Sequence, residues 1–555
     1  MPVPNVIGTE RPANNNVMVA LTLAICAAWI IPGLIGHDPW KPDEAYVFGL
    51  VYHVLEGGGW IVPMLAGEPF LQQPPLYVLT AALFAKAFSF LLPVHDGARL
   101  ATAAYMAIAF AFTAASGREL LGRNRGWVAT LLLLGSVGLA VRAHQLIPDS
   151  ALFAGFAIGC YGLALMPRRA IAGGVWLGTG AGLGFMAKGL FAPSVLALAA
   201  VALVLGCRAW RTRSILPGVA AAVGAVLPWI LIWPIALYAQ SSELFWQWWT
   251  HAFACLPGSE EAKFHNDRLH YLRILPWYAW PSLPLALWVL WGTRVSRFGR
   301  PAVQLPVVVF TLALIALSTC GPMRELYAMP LLVPIALLAA PAVDNMRRGA
   351  SNSLYWFGVM GFSFFAVVAW VYWSGLELGI PGRLSRHLHK LQPAYESHVR
   401  WLPLLFGIAF CGVWVALLAK LERTVERPVI VWAAGMTLIW GLLNTLFLDY
   451  ADTSKSYRSM VVELVQALPP GYDCISSRGL GESQRAMLHY LGGIVTYREE
   501  RPERRRTCDL LLAQGERSEP PEIPPGWHQV WEGTRPGEND EYFWLYGYGP
   551  AQSVR

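Results

Sequence analysis

Two acidic residues stand side by side just after the first apolar run of the chain. The stretch 37–49 reads HDPWKPDEAYVFG and holds Asp43 and Glu44, and it directly follows an uncharged run from 17 to 35. A third acidic residue, Asp149, opens another apolar run in LIPDSALF. Carboxylates at the edge of an apolar segment are costly unless they are solvated, paired or used. A carboxylate in use there would act as a general base.

A structural role is the alternative for the acidic pair. Asp43 at the N-cap and Glu44 at the first position of a helix would suit the helix dipole. The helix itself, EAYVFGLVYHVLEGG, has its apolar side chains on one side and is predicted to lie flat on the outer membrane surface. The surrounding sequence is therefore needed to distinguish a catalytic role of the acidic pair from a helix-capping role.

The composition predicts a multi-pass membrane protein. Hydrophobic residues make up 55% of the 555 residues, charged residues make up 14%, and the mean hydropathy is +0.43, whereas soluble domains carry about 25% charged residues. Most of the Arg and Lys behind the net charge of +7 lie in short breaks between apolar runs, so the charge does not indicate nucleic-acid binding. The eight cysteines include no CxxC pair, which argues against a zinc ribbon.

Fourteen segments are candidate transmembrane helices. They are 17–35, 76–92, 97–117, 126–142, 148–166, 171–187, 189–206, 214–238, 272–292, 303–319, 325–343, 353–373, 402–419 and 428–448. Six arginine-rich breaks separate some of them and belong on the cytoplasmic side by the positive-inside rule. These breaks are 118–125, 167–170, 207–213, 293–302, 344–352 and 420–427.

The parity of these breaks limits the number of spans. With a cytoplasmic N-terminus, all six breaks lie inside only if one segment before residue 97 does not cross the membrane. The segment 76–92 contains Lys86, so we predict that it lies at the interface or re-enters, which leaves thirteen spans. An inverted chain with fourteen spans satisfies the same rule.

The predicted topology divides the chain into two domains. Residues 1–448 form an all-α transmembrane domain whose long loops, 36–97, 239–271 and 374–401, lie on the periplasmic face of a bacterial inner membrane. Residues 449–555 form a small periplasmic α/β domain.

The local patterns of the C-terminal domain predict its elements. YRSMVVELVQAL and GESQRAMLHYLGG are typical of helices, and YDCISS, GIVTY, CDLLLAQ and YFWLYGY are typical of strands. Cys474 and Cys508 would be able to pair in an oxidising compartment.

The order of several short motifs resembles a known enzyme family. DEAYVFG, GEPFLQQPPLYVLTA, IPDSALFAG, GLGFMAKGLFA and RELYAMPLLVPIALL occur in the order found in the GT-C membrane glycosyltransferases. The chain looks most like the branch that contains the protein O-mannosyltransferases and the ArnT-like lipid A aminoarabinose transferases. Each motif is short, so the specificity lies in their order, and the resemblance covers nearly the whole chain.

The resemblance implies roles for individual residues. Asp43 matches the acidic residue taken as the general base, and Asp149 matches a second acidic position near the reacting centre. Tyr327 falls on a tyrosine that faces the donor-lipid cavity. Gln72 and Gln73 fall where ArnT-like enzymes carry Glu-Lys, whose lysine is thought to hold the lipid phosphate, so another cation takes that role or the donor differs. Glu44 completes the catalytic candidates, and Tyr46 is a further substrate-binding candidate.

A polyprenyl-phosphate donor, which the resemblance implies, would leave a phosphate that needs cations. Lys188 and Arg324 are the first candidates because each stands at the end of an apolar segment, at headgroup depth. Snorkelling to the membrane interface is their structural alternative. The remaining cationic candidates are Arg268 and His270, which we keep in the binding set, and Arg142, Lys41, His144 and His265.

We predict no required cofactor. His251, His265 and His270 with Glu260 or Glu261 are a weaker alternative as zinc ligands, because no pair stands at helical spacing. The Asp-x-Asp pair of oligosaccharyltransferase-type enzymes is absent, since Ser150 and Ala151 follow Asp149.

The sequence thus predicts a monomeric membrane glycosyltransferase that moves a sugar from polyprenyl phosphate to lipid A or another envelope glycan. Transfer to a protein or polysaccharide, a polyprenyl-lipid transporter and a catalytically inactive relative are the alternatives. A transporter would show ionisable residues in mid-span and repeated halves, and neither is seen. The basic loop 374–401 is either a solvated loop or a contact for an anionic acceptor.

Overall fold

The computed structural model describes residues 15–122, 125–252, 267–292, 299–319, 323–501, 508–523, 525–538 and 541–549. Most of them are helical. Nineteen helices precede the C-terminal part within these ranges. They are α1 (Asn15–Ile30), α2 (Asp43–Leu55), α3 (Leu76–Phe88), α4 (Val94–Leu121), α5 (Gly126–Leu134), α6 (Val137–Arg142), α7 (Asp149–Leu165), α8 (Ala170–Lys188), α9 (Phe191–Gly206), α10 (Ile215–Gln240), α11 (Ser242–Ala252), α12 (His270–Tyr278), α13 (Ser282–Gly292), α14 (Pro301–Thr319), α15 (Met329–Asn345), α16 (Arg348–Glu377), α17 (Gly382–Leu391), α18 (Trp401–Lys420) and α19 (Arg427–Leu446).

All fourteen apolar segments are helical, and two of them are divided. The segment 126–142 breaks between α5 and α6, and 272–292 breaks between α12 and α13, next to Pro281. Eight helices in the described ranges are long and apolar enough to cross a membrane. The all-helical, multi-pass character is therefore confirmed, while the count of thirteen spans stays a prediction.

The helix α3 has 13 residues, so it is about 20 Å long and shorter than a bilayer core of about 30 Å. Its interfacial or re-entrant placement stays a prediction as well.

Small residues bring α7 and α8 into close contact. A Cβ added at Gly155 would lie 2.7 Å from the Gly180 carbonyl oxygen, and one added at Gly162 would lie 2.3 Å from the Leu177 nitrogen. Only glycine allows the backbones to approach so closely. Because α7 and α8 are antiparallel and joined by a short turn, the first residue of α7 lies beside the last residue of α8.

The C-terminal part contains a five-stranded sheet and helices. Before it, the strands β1 (Met64–Leu65) and β2 (Glu68–Pro69) form a small hairpin. The later elements are α20 (Leu448–Lys455), α21 (Arg458–Ala467), β3 (Ile475–Arg478), α22 (Glu482–Gly492), β4 (Thr496–Arg498), β5 (Leu510–Gly515), β6 (Trp527–Thr534) and β7 (Tyr542–Tyr548). The sheet order is β4-β3-β5-β7-β6, with β3 parallel to β4 and β5, and β7 antiparallel to β5 and β6.

The predicted helices and four predicted strands of this part are confirmed. The helix α22 ends at Gly492 and is followed by Gly493, which has a left-handed backbone with φ of 65°. The strand β6 was not predicted, because both of its faces are partly exposed and its apolar alternation is weak. Cys474 and Cys508 form a disulfide. The domain boundary at residue 449 stays a prediction.

The helix α2 is buried on more than one side, and its placement along the outer membrane surface stays a prediction. Its residues Val47 and Leu50 are buried as expected, but Phe48 and Gly49 on other sides are buried too. A Cβ at Gly49 would lie 2.6 Å from the Ala486 Cβ, because α22 packs directly on α2. The expectation of a one-sided helix was wrong, since it left out the cover supplied by the C-terminal part.

Candidate active site

Asp43 lies at the first turn of α2 and pairs with a distant arginine. Its Oδ2 accepts a hydrogen bond from Arg324 Nη2 at 2.6 Å, and Arg142 Nη1 lies 4.0 Å away. The side chain of Asp43 is only 3% exposed. The predicted capping role is wrong, because the helix begins after Pro42 and makes no side-chain cap.

Asp149 and Lys188 form a second buried ion pair. Lys188 Nζ lies 3.0 Å from Asp149 Oδ2, and the two side chains are 18% and 3% exposed. Asp149 is the first residue of α7 and Lys188 the last residue of α8, so the close helix packing produces this pair. The structure brings together two residues that the sequence proposed separately.

Tyr327 connects the two ion pairs. It lies in a 3₁₀ turn, Glu325–Ala328, just before α15. Its ring centroid is 5.3 Å from Lys188 Nζ and 5.9 Å from the Arg324 guanidinium carbon, distances at which the ring attracts both cations. Arg324 and Lys188 therefore both contact the ring of Tyr327.

Tyr46 completes the cluster from α2. It stands three residues after Asp43 and so lies on the same helix face. Burial raises the pKa of Tyr46, and the charges of Lys188, Asp43 and Asp149 all act on its phenol. Tyr46 is therefore a neutral hydrogen-bond donor at neutral pH. The site cluster consists of Asp43, Tyr46, Asp149, Lys188, Arg324 and Tyr327.

Glu44 belongs to a different network. Its Oε1 accepts hydrogen bonds from Arg99 Nε at 3.0 Å and the Leu146 backbone nitrogen at 2.9 Å, and its Oε2 accepts one from the Trp40 nitrogen. Burial opposes its charge, but the Arg99 guanidinium, the field of His37 and these bonds hold the pKa of Glu44 below its ordinary value. The structure does not bring Glu44 together with the site cluster.

The remaining predicted binding residues lie outside the contacts of the site cluster. Gln72 is exposed and donates to Glu482 Oε1 at 3.4 Å. Gln73 is buried, and its Nε2 has no hydrogen-bond partner among the described residues. Arg268 is exposed, and His270 begins α12. The neighbour of His270, Tyr271, does reach the site, because its hydroxyl lies 3.5 Å from the Arg324 carbonyl oxygen.

Arg99 is the main residue that the sequence reasoning missed. It is 1% exposed and donates to Glu44, to Asp96 at 2.7 Å and to the Asp38 carbonyl oxygen at 2.8 Å. An arginine inside the apolar segment GARLATAAY was the available signal, because such residues are rare unless paired.

Metal ligands find little support in the described ranges. The acidic group Asp473 and Asp509 surrounds Cys474, whose sulfur is already bonded to Cys508. The zinc alternative cannot be placed, since the side chain of His251 and residues 260, 261 and 265 lie outside the described residues.

The site cluster suits transfer of a group away from a phosphate. Two carboxylates and two cations meet at one tyrosine in a largely buried place, where fixed charges act strongly on reacting atoms. A carboxylate supplies a base, and Lys188 and Arg324 supply positive charge for a leaving anion.

Known proteins that are similar to this chain act on lipid-phosphate sugars, according to their names. Residues 72–233 match the family described as dolichyl-phosphate-mannose-protein mannosyltransferase. An undecaprenyl phosphate-alpha-4-amino-4-deoxy-L-arabinose arabinosyl transferase of Pseudomonas aeruginosa is 28% identical over 77% of this chain and 74% of its own length. One of the same name from Serratia proteamaculans is 25% identical over 85% and 82%.

The fold agrees with these sequence matches. The crystal structure of ArnT from Cupriavidus metallidurans bound to undecaprenyl phosphate covers 96% of this chain and 98% of its own, with a TM-score of 0.69 at 16% identity. The resemblance indicated by the motif order is therefore confirmed, and the chain is similar in sequence and fold to the ArnT-like membrane glycosyltransferases.

Proposed function

We propose that the chain transfers a sugar from undecaprenyl phosphate to a lipid acceptor such as lipid A on the periplasmic face of the inner membrane. The observation that carries the proposal is the meeting of two ion pairs with buried carboxylates, Asp43 with Arg324 and Asp149 with Lys188, at Tyr327. The relatives named above act with undecaprenyl phosphate, and their fold is the fold of this chain.

The transfer is a single displacement. An acceptor oxygen attacks C1 of the sugar as the bond from C1 to the phosphate oxygen breaks, so the anomeric centre inverts. Asp43 takes the proton of the acceptor. The electron pair of the broken bond stays on the phosphate, where Lys188 and Arg324 hold the new negative charge. Asp149 keeps Lys188 charged and in place.

The periplasmic orientation rests on three features. The arginine-rich breaks belong to the cytoplasmic side by the positive-inside rule. Asp43 and the C-terminal part lie together, because α2 packs on α22. Cys474 and Cys508 are paired, and disulfides persist in oxidising compartments such as the periplasm.

The sugar carried by undecaprenyl phosphate can be identified by experiment. The relatives carry aminoarabinose in their names, whereas Gln72 and Gln73 replace the Glu-Lys pair of ArnT-like enzymes. A panel of undecaprenyl-phosphate sugars, pentosyl and hexosyl, would identify the donor by comparing kcat/KM. We also propose that the enzyme acts as a monomer and needs no metal, so transfer should continue in EDTA.

The test is transfer of labelled sugar in vesicles that contain the purified enzyme, donor and lipid A. Asp43→Asn should lower kcat about 10²–10⁴-fold, because it removes the base, and Lys188→Met should lower it about 10²-fold. Glu119→Gln changes an ion pair with Arg168 far along α4 and serves as the control. Transfer by Asp43→Asn at the wild-type rate would remove Asp43 from the mechanism.

A further inference from the structure

A cavity with largely apolar walls and a few polar groups lies beside the α2 N-terminus, apart from the site cluster. It has a volume of about 220 Å³ and is enclosed by the α1–α2 loop, the end of α19 and α20. Its aromatic walls are Trp40, Trp440 and Phe447, and Lys455 reaches into it. This headgroup cavity has the size of a sugar ring with a small charged group.

The cation of the headgroup cavity forms no close ion pair with a described carboxylate, although the charge of Glu44 acts on it from across the cavity. Lys455 Nζ lies 4.4 Å from the Trp40 ring centroid, and none of the described carboxylates lies within 4.0 Å of it. The one carboxylate of the wall, Glu44, is already bonded to Arg99. Lys455 is therefore the group of this cavity that remains available to an anionic ligand.

The headgroup cavity is connected to Asp43 by a short chain of contacts. Gln145 lines the cavity and accepts a hydrogen bond from Arg142 Nη1 at 3.2 Å. The same Arg142 Nη1 lies 4.0 Å from Asp43 Oδ2. The cavity is thus separated from the carboxylate of Asp43 by the side chains of Gln145 and Arg142, across which a bound acceptor would extend toward the base.

Further positive charge lies beside the headgroup cavity. The helix α17 packs against α20 through Tyr450, whose hydroxyl donates to the Leu388 carbonyl oxygen at 3.0 Å. Its outer face exposes Arg383, Arg386 and Lys390. A basic surface next to a lysine without a close ion pair attracts anionic ligands.

We infer that the headgroup cavity binds a phosphorylated sugar headgroup of the acceptor lipid, with Lys455 on the phosphate and Trp40 and Trp440 against the sugar ring. The inference rests on the proposed function and extends it, because it assigns donor and acceptor to separate sites beside the α2 N-terminus. Aromatic rings and a lysine are the groups that bind sugar faces and phosphates.

The test measures binding and transfer separately. Binding of a short-chain phosphorylated diglucosamine lipid to the detergent-solubilised enzyme is measured without donor, and the dephosphorylated lipid is the reference probe. Lys455→Met should weaken binding of the phosphorylated probe about tenfold, the loss expected for one phosphate contact. Lys455→Arg should restore most of the binding. Lys420→Met, a change of the last residue of α18, should leave the binding unchanged.

In the transfer assay, Lys455→Met should raise the KM for the acceptor and leave the KM for the donor as it is. Equal binding of the phosphorylated probe by wild type and Lys455→Met would overturn the inference, and so would a loss that falls on the donor. A wild-type enzyme that binds the phosphorylated probe through Lys455 but transfers no sugar would contradict the proposed function and leave the cavity assignment intact.

Discussion

Asp43 and Glu44 are neighbours in the chain, but their carboxylates point into different surroundings. Successive residues of a helix are turned by about 100°, so Asp43 meets Arg324 while Glu44 meets Arg99. The sequence identifies the acidic pair but does not tell its members apart, because the two partners come from α4 and from the turn before α15. Only the tertiary packing places the Asp43 carboxylate in the site cluster and the Glu44 carboxylate in the hydrogen-bond network around Arg99.

Asp452 gives a pH prediction at the same scale. Burial raises its pKa to about 6, although Trp40 Nε1 donates to it at 2.8 Å. A carboxyl group with a raised pKa binds its proton more tightly when folded, so stability falls as pH rises from about 4 to about 6 and is level above that. The Asp452→Asn variant has no carboxyl group to titrate, so its free energy of unfolding should not fall in this way. Relative to wild type, that free energy should increase by up to about 3 kcal/mol between about pH 4 and about pH 6.

The measurement is the melting temperature of both proteins in detergent between pH 4.5 and 7.5. Ser454→Ala, an uncharged change on the same helix, should differ from wild type by a constant amount. A difference between Asp452→Asn and wild type that does not grow toward pH 6 would contradict the prediction.

At the scale of elements, the helices were predictable and their neighbours were not. Apolar periodicity and length identify α7, α8 and α15, and the short turn between α7 and α8 makes these two antiparallel neighbours, so Asp149 and Lys188 meet. The packing of α22 on α2 joins residues more than four hundred positions apart, at Gly49 and Ala486. No local pattern carries such a contact, and this is why α2 was expected to be exposed on one side.

Arg99 holds the start of α2, and its removal should disturb both stability and chemistry. Arg99→Met leaves the carboxylates of Glu44 and Asp96 buried without their cation, which costs about 3–5 kcal/mol. The start of α2 would shift, and kcat should fall because Asp43 loses its position. The double variant Arg99→Met/Glu44→Gln should recover part of the stability.

Thermal unfolding and single-turnover transfer rates, measured at a temperature where both variants are folded, check this prediction. A single variant as stable and active as wild type would show that Arg99 does not position α2. Asp267→Asn, a change in an exposed ion pair with Arg273, is the matched surface control.

At the scale of the whole molecule, ion pairs join the membrane helices to the C-terminal part. Lys41 pairs with Glu541 at 2.9 Å, Asp38 with Arg458 at 2.8 Å and Glu68 with Arg485 at 3.1 Å. Each of these acids and bases comes from the loops around α2 or from the C-terminal part that covers it. The two parts therefore act as one body around the site cluster.

The orientation of that body across the membrane is directly measurable. We expect a cysteine at Ser518 to react with a membrane-impermeant maleimide added to intact cells with a permeable outer membrane, because the C-terminal part is predicted to be periplasmic. A cysteine at Gly349, in a predicted cytoplasmic break, should react only after lysis. Of the other free cysteines, Cys26, Cys160 and Cys207 are buried and Cys411 is partly exposed. Cys255 and Cys320 lie outside the described residues, so labelling of the parent protein without an added cysteine is the background control. Labelling of position 349 in intact cells would favour the inverted topology.

The pairing of Arg324 with Asp43 sets the order of events in a turnover. In the empty site each cation already neutralises a carboxylate, so a donor phosphate gains Arg324 only by drawing it away from Asp43. Binding of the donor would then free the Asp43 carboxylate to act as the base. We therefore expect an order of activation and not of binding: an acceptor can enter its cavity first, but it meets a carboxylate still paired with Arg324 until the donor has bound.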